Sequence, residues 1–133
     1  MINVLLIEDN PGDARATREL LKESKALSIA MEWRDRLSSG LTRLSEGGVD
    51  LVLLDLSLPD SRGFSTFTQL SAKAQDLPVI VLTGMDDEAV ALWAVREGAQ
   101  DYIVKGRTNP RSLVSSIRFA VERNKKLAPS PTR

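Results

Sequence analysis

Three unbroken apolar runs, Val4–Ile7, Leu51–Leu54 and Val79–Leu82, constrain this chain more than any other feature of it. A strand with one wet face alternates apolar and polar residues. A continuous run belongs to a strand covered on both faces, as in the middle of a parallel sheet. Ile29–Trp33, which alternates weakly, and Tyr102–Val104 complete a set of five. The stretches between them carry helical spacing: Ala14, Thr17, Leu20 and Leu21; then Leu41 and Leu44; then Phe64, Phe67 and Leu70; then Val90 to Val95. The last has Asn109 as N-cap, Pro110 at the first helical position, and Leu113, Ile117 and Ala120 on one face. Pro11-Gly12, Gly47-Gly48, Pro59-Asp60, Gly63, Pro78, Gly84, Gly98 and Gly106 read as punctuation between the runs. Five alternations of strand and helix predict an α/β domain, a parallel sheet with helices on both faces and right-handed crossovers. It is expected over residues 1–126, with 127–133 a flexible tail or the start of a linker.

The missing residue types narrow the chemistry. There is no Cys, so disulfides, thiolate nucleophiles and Cys-based zinc sites are out. There is no His, which removes the commonest general base and any phosphohistidine on this chain. Eighteen Lys and Arg balance eighteen Asp and Glu, and zero net charge argues against wholesale binding to nucleic acid or an anionic membrane. No apolar run approaches the ~20 residues a membrane span requires. Met1 leads directly into Ile2-Asn3-Val4 with no basic segment before the apolar one, so the expected compartment is the cytoplasm.

The residues just past the strand ends carry the chemistry. Glu8 and Asp9 come after the first strand, Asp55 after the third, Thr83 after the fourth and Lys105 after the fifth. In an open parallel sheet, ligands bind beyond the carboxyl ends of the strands. One such residue is commonly just the point where a buried strand meets water. All five at one rim are hard to attribute to that alone. Three crowded carboxylates require a cation, and an all-oxygen ligand set suits a hard ion such as Mg²⁺. Lys105 is a point charge suited to phosphate. A carboxylate beside a bound metal can act as a nucleophile and form an acyl phosphate. Asp55 is the natural choice, since it stands alone at a central strand end.

With Leu6-Ile7-Glu8-Asp9-Asn10, Asp50 through Asp60, Gly63, Pro78 through Gly84 and Gly98 through Lys105 in this order, the chain resembles the receiver domain of bacterial two-component response regulators, from Ile2 to about Lys126. The resemblance implies a flavodoxin-like sheet in order 2-1-3-4-5. It implies Asp55 as phospho-acceptor, receiving from a histidine kinase or phosphotransfer protein. It implies Mg²⁺ held by Asp9, Asp55 and the Ser57 carbonyl, with Glu8 assisting. Lys105 and Thr83 would engage the phosphoryl group, and Tyr102 would be the aromatic that turns inward on activation.

Three positions depart from the family's common pattern. Glu8-Asp9 stands where many receivers carry two Asp. Gly106 comes after Lys105 where Pro is common, often after a cis bond; a non-proline cis bond costs about 2.5–4 kcal/mol, so this loop is expected to be trans or unusually mobile. Ser57 and Met85, at positions that tune dephosphorylation in the family, are neither carboxylate nor amide, so fast self-hydrolysis is not expected.

Other features read more plainly. Asp60 after Pro59 is turn chemistry and Trp33 is packing on an edge strand. Arg118, Arg123, Lys125 and Lys126 suit a helix C-terminus, and without interleaved aromatics they do not predict nucleic-acid binding. In the fourth helix Val90, Trp93 and Ala94 share one face while Leu92 and Val95 fall opposite, so a second apolar stripe is expected to meet a loop or a partner. At the positions that form ion pairs in many dimeric receivers, Ala91 would face Arg111 and Ser115 would face Asp101. A monomer, or a dimer without ion pairs, is therefore expected. Three other readings carry less support. An adaptor working without phosphorylation would not need the full acidic and basic set. A phosphatase of the haloacid dehalogenase type wants an Asp where Ser57 stands. A flavin domain wants a Gly-rich phosphate loop where Glu8-Asp9-Asn10-Pro11 stands.

Overall fold

A computed structural model describes residues 1–23 and 28–127. Counting only the strands of the main sheet, the order is β1 (Ile2–Ile7), α1 (Pro11–Glu23), β2 (Ile29–Arg34), α2 (Leu37–Ser45), β3 (Leu51–Asp55), α3 (Phe64–Lys73), β4 (Val79–Thr83), α4 (Glu88–Arg96), β5 (Asp101–Val104) and α5 (Pro110–Leu127). The five strands are parallel in the order β2-β1-β3-β4-β5. Expected fold and observed fold agree. Leu127 still lies in α5, and the tail expected beyond it falls at 128–133, outside the described residues.

The continuous runs are explained by two cores. Successive side chains of a strand point to opposite faces. Val4, Leu6, Leu51, Leu53, Ile80 and Leu82 pack with Ala14 and Leu21 of α1 and with Leu113 and Ile117 of α5. Leu5, Ile7, Val52, Leu54, Val79 and Val81 pack on the other face with Leu37 of α2, Phe67 and Leu70 of α3, and Ala91 and Ala94 of α4. Every residue of β3 and β4 is buried.

Two helices start on an asparagine cap of their own. The Asn109 carboxamide oxygen accepts from the Ser112 N–H at 2.9 Å, the expected cap of α5. Asn10 does the same for Asp13 at 3.0 Å, so Pro11-Gly12 opens α1 rather than forming a turn. In α2 the cap is distant: its first N–H groups, on Leu37 and Ser38, donate to the two carboxylate oxygens of Asp60 at 2.8 and 2.9 Å. Asp60 reaches them from the turn of a small hairpin, Ser57–Leu58 paired with Ser61–Arg62, that the sequence pattern did not predict. Within α2, Gly40 lies against β1: a Cβ there would stand 2.4 Å from Ile7 Cδ1.

The fourth helix differs from expectation. Ala91 is fully buried along with Ala94, and Val90, Trp93 and Val95 all pack partly against the second core. The expected second stripe shrinks to Leu92, which is exposed. Ala91 therefore cannot face Arg111 across a surface. Asp101, assigned to the other pairing, accepts from Ser116 Oγ of its own chain at 3.3 Å. Phe64 is also no core residue: it is half exposed and stacks on Trp93, with ring centroids 4.4 Å apart. Phe119, adjacent to Arg118, is exposed on α5, so an aromatic does stand among those basic residues. Among the described residues no helix is long and apolar enough to cross a membrane.

Candidate functional site

Strand register delivers the site. Ile7 pairs with Leu54, so Glu8 and Asp55, each one residue further on, leave adjacent strands at the same level. Asp55 is in register with Leu82, and Thr83 is the next residue. Thr83 pairs with Val104, so Lys105 comes next, and its N–H donates to the Thr83 carbonyl at 2.8 Å. The strand-end residues expected from the sequence thus share one rim. Glu8, Asp55 and Thr83 are buried there and Asp9 is exposed. One carboxylate oxygen from each of Glu8, Asp9 and Asp55 lies within 4.8 Å of the others.

Lys105 neutralises part of this charge. Its Nζ donates to Asp55 Oδ2 at 2.7 Å and lies 2.6 Å from Glu8 Oε1. The contact with Glu8 is a close ion pair without a well-formed hydrogen bond to the buried Oε1. Burial pushes the Glu8 carboxyl up to about 8; its contact with Asp55 adds to the rise, and Lys105 offsets only part of it. Burial alone would lower the Lys105 ammonium, but the hydrogen bond and charge of Asp55, with the close negative charge of Glu8, hold it above its ordinary value. The other Asp55 oxygen, Oδ1, accepts from the Ser57 N–H at 2.8 Å, which fixes the carboxylate's rotation.

The loop after Lys105 has an ordinary backbone. No peptide bond among the described residues is cis, and Gly106 takes φ +82°, a left-handed turn natural to glycine. The Tyr102 hydroxyl donates to Glu88 of α4 at 3.3 Å, and the Glu88 charge holds the phenol above its usual range. The Thr83 hydroxyl donates to the Gly84 carbonyl at 3.1 Å.

Two residues join the site that sequence reasoning passed over. Asp13 Oδ2 accepts from Lys105 Nζ at 3.1 Å. Its signal was available, because Asn10-Pro11 repeats the Asn109-Pro110 helix start and places Asp13 in the first turn of α1, above the strand ends. Trp33 packs as expected, but its indole N–H also donates to the Glu8 carbonyl at 2.6 Å. Asp60 lies apart from the acidic cluster, committed to α2.

An all-oxygen donor set of three crowded carboxylates fits a hard divalent cation, since such an ion offsets the repulsion that Lys105 compensates only in part. A buried carboxylate with a fixed orientation and an ammonium alongside also has what covalent phosphoryl capture requires: a nucleophilic oxygen and a compensating charge.

The sequence model of the response regulator receiver domain matches residues 4–118. The swarming motility regulation protein RssB of Serratia marcescens is 32% identical over 117 residues, covering 88% of this chain and 52% of that protein. PilH of Pseudomonas aeruginosa is 31% identical over 108 residues, covering 79% of this chain and 86% of its own length. The chain spans about half the length of several curated relatives it matches, RssB and CreB of Escherichia coli among them. In fold, a receiver domain from Clostridium thermocellum superposes with a TM-score of 0.82 at 24% identity, covering 96% of this chain and 100% of that one. By the extent of the family match and the agreement in fold, this chain belongs to the response regulator receiver domain family.

Proposed function

We propose that the chain is a phosphorylation-controlled switch of two-component signalling, accepting a phosphoryl group on Asp55 from a histidine kinase or phosphotransfer protein. The observation that carries this reading is the buried Asp55 carboxylate, held on one side by the Ser57 N–H and on the other by Lys105 Nζ. A carboxylate oxygen of Asp55 forms the new bond to phosphorus as the donor's bond to phosphorus breaks, and the donor's nitrogen or oxygen leaves with the electron pair. Lys105 compensates charge on the phosphoryl oxygens. The Thr83 hydroxyl turns from the Gly84 carbonyl to donate to one of them. Glu8, Asp9, Asp55 and the Ser57 carbonyl are the residues for Mg²⁺, which when bound supplies charge neutralisation between the acids and the incoming phosphoryl group.

Propagation runs through Thr83 and Tyr102. Phosphoryl binding biases a two-state equilibrium of the loops after β4 and β5. Tyr102, now tied to Glu88 of α4, is the side chain whose position reports it. The output is a changed partner-binding face rather than turnover of a substrate; self-phosphorylation from small donors and slow self-dephosphorylation are its only chemistry. The working compartment in this reading is the cytoplasm, the downstream partner is a protein, and the chain is a monomer or a dimer without ion pairs. The direct test is intact mass after incubation with MgCl₂ and acetyl phosphate. A single phosphoryl adduct should form in the wild type and be absent in Asp55→Asn; an adduct of equal yield in both would refute the assignment.

A further inference from the structure

Lys105 is shared by three carboxylates, one of which phosphoryl capture on Asp55 does not use. Besides Glu8 at 2.6 Å and Asp55 at 2.7 Å, its ammonium contacts Asp13 Oδ2 at 3.1 Å. Asp13 belongs to α1 and lies outside the group formed by Glu8, Asp9 and Asp55. Its carboxylate is partly exposed, whereas Glu8 and Asp55 are buried. The Asn10 cap on its N–H and the Thr17 hydroxyl donating to its carbonyl at 3.1 Å fix its backbone. The Lys105 stem borders a cavity of about 70 Å³ lined by Thr17, Leu20, Leu82, Ile103 and Leu113 among others. Packing therefore does little to fix the ammonium on that side, and its ion pairs hold it.

We infer that Asp13 is a positioning residue that shares the Lys105 ammonium with Asp55 and Glu8 and so weakens the site's attraction for anionic phosphoryl donors while strengthening its attraction for a divalent cation. Both effects arise from one contact. An ammonium shared with Asp13 is less available to phosphoryl oxygens, and the Asp13 charge repels an incoming anion. The same negative charge attracts a metal and offsets part of the Lys105 charge that competes with it. The inference rests on the phosphoacceptor reading for the donor and on the acidic cluster for the metal.

Two titrations of Asp13→Asn test it. At saturating MgCl₂, the acetyl phosphate concentration giving half-maximal phosphorylation rate should fall roughly two- to fivefold, the range commanded by a solvent-exposed ion pair. The rate at saturation should stay within about twofold on the same scale. In calorimetric titration with MgCl₂ alone, half-saturation should rise by roughly the same two- to fivefold factor. Asp13→Glu, which keeps the charge, should return both toward wild type, and Glu19→Gln, an exposed acid further along α1, should move neither. If Asp13→Asn does not fold by circular dichroism, Asp13→Ser carries the same expectations. A merely structural role would weaken both affinities together. That result, two unchanged affinities, or equal effects from Glu19→Gln would overturn the inference. Absence of an adduct in the wild type would instead sink the phosphoacceptor reading and leave the MgCl₂ titration to judge Asp13.

Discussion

The indole N–H of Trp33, on the edge strand β2, donates a 2.6 Å hydrogen bond to the backbone carbonyl of Glu8, so the strand beside β1 holds the acidic rim in place. Trp33→Phe keeps most of the packing and removes only the donor. It should cost about 0.5–1.5 kcal/mol, the net worth of one such bond. Chemical denaturation of the two proteins measures it; equal midpoints would show that water replaces the indole without loss.

Gly40 is required by Ile7. Glycine inside a helix ordinarily costs about 1 kcal/mol relative to alanine, so Gly40→Ala would stabilise an unobstructed helix. Here the added methyl meets Ile7 Cδ1 at 2.4 Å and Cγ1 at 2.8 Å, in a core with no slack. The expected outcome is a net loss of about 1–3 kcal/mol, read as a lowered denaturation midpoint. A smaller penalty for Gly40→Ala in an Ile7→Ala background than in the wild type would identify the clash as the cause.

The Asp60 carboxylate gives a pH-dependent contribution. Partial burial raises its pKa, but hydrogen bonds from Ser38 and Leu37 outweigh that and hold it below the ordinary carboxylate value. With the folded value depressed, its stabilisation is complete above about pH 4, the unfolded range, and is lost as pH falls through the folded value. Asp60→Ala should lose about 0.5–2 kcal/mol at neutral pH, as other lost helix caps do. The gap between the two proteins should close on acidification; a gap constant down to low pH would mean the carboxylate's charge is not what caps α2.

Asp9 is the exposed member of the acidic group, so it can be removed with little effect on folding. Asp9→Ala should nevertheless abolish both Mg²⁺ binding and the Asp55 adduct, and excess chelator should do the same to the wild type. Full phosphorylation in chelator would contradict a role for the metal.

The sequence discloses this fold wherever its signals are local. Three continuous apolar runs identify strands covered on both faces, and the residues just after them identify the rim, because strand register turns sequence position directly into depth. Asn109-Pro110 announces α5 by the same logic. The features that stay hidden depend on contacts across the fold. Asp60 caps a helix that begins 23 residues before it, and the Trp33 bond reaches across 25 residues. The spacing of α4 suggests two apolar stripes, but only packing reveals that Ala91 and Ala94 take the deepest positions and that Val95 joins them. Phe64 has core composition and helical spacing, yet it occupies the first position of α3, beyond the sheet's cover, and finds Trp93 instead.

The cap of α2 also bears on the order in which the chain acquires structure. A helix closed by its own neighbours has its cap as soon as it is made, whereas the closing carboxylate of the nine-residue α2 is synthesised later than β3. Until Asp60 has left the ribosome and its hairpin has docked, the first turn of α2 lacks its acceptor. The early helix α1 carries its cap in Asn10 and does not wait. During synthesis, then, the N-terminal third of the chain should emerge with α1 capped and α2 uncapped, and the passage of β3 and its hairpin sets the moment at which the second face of the sheet closes.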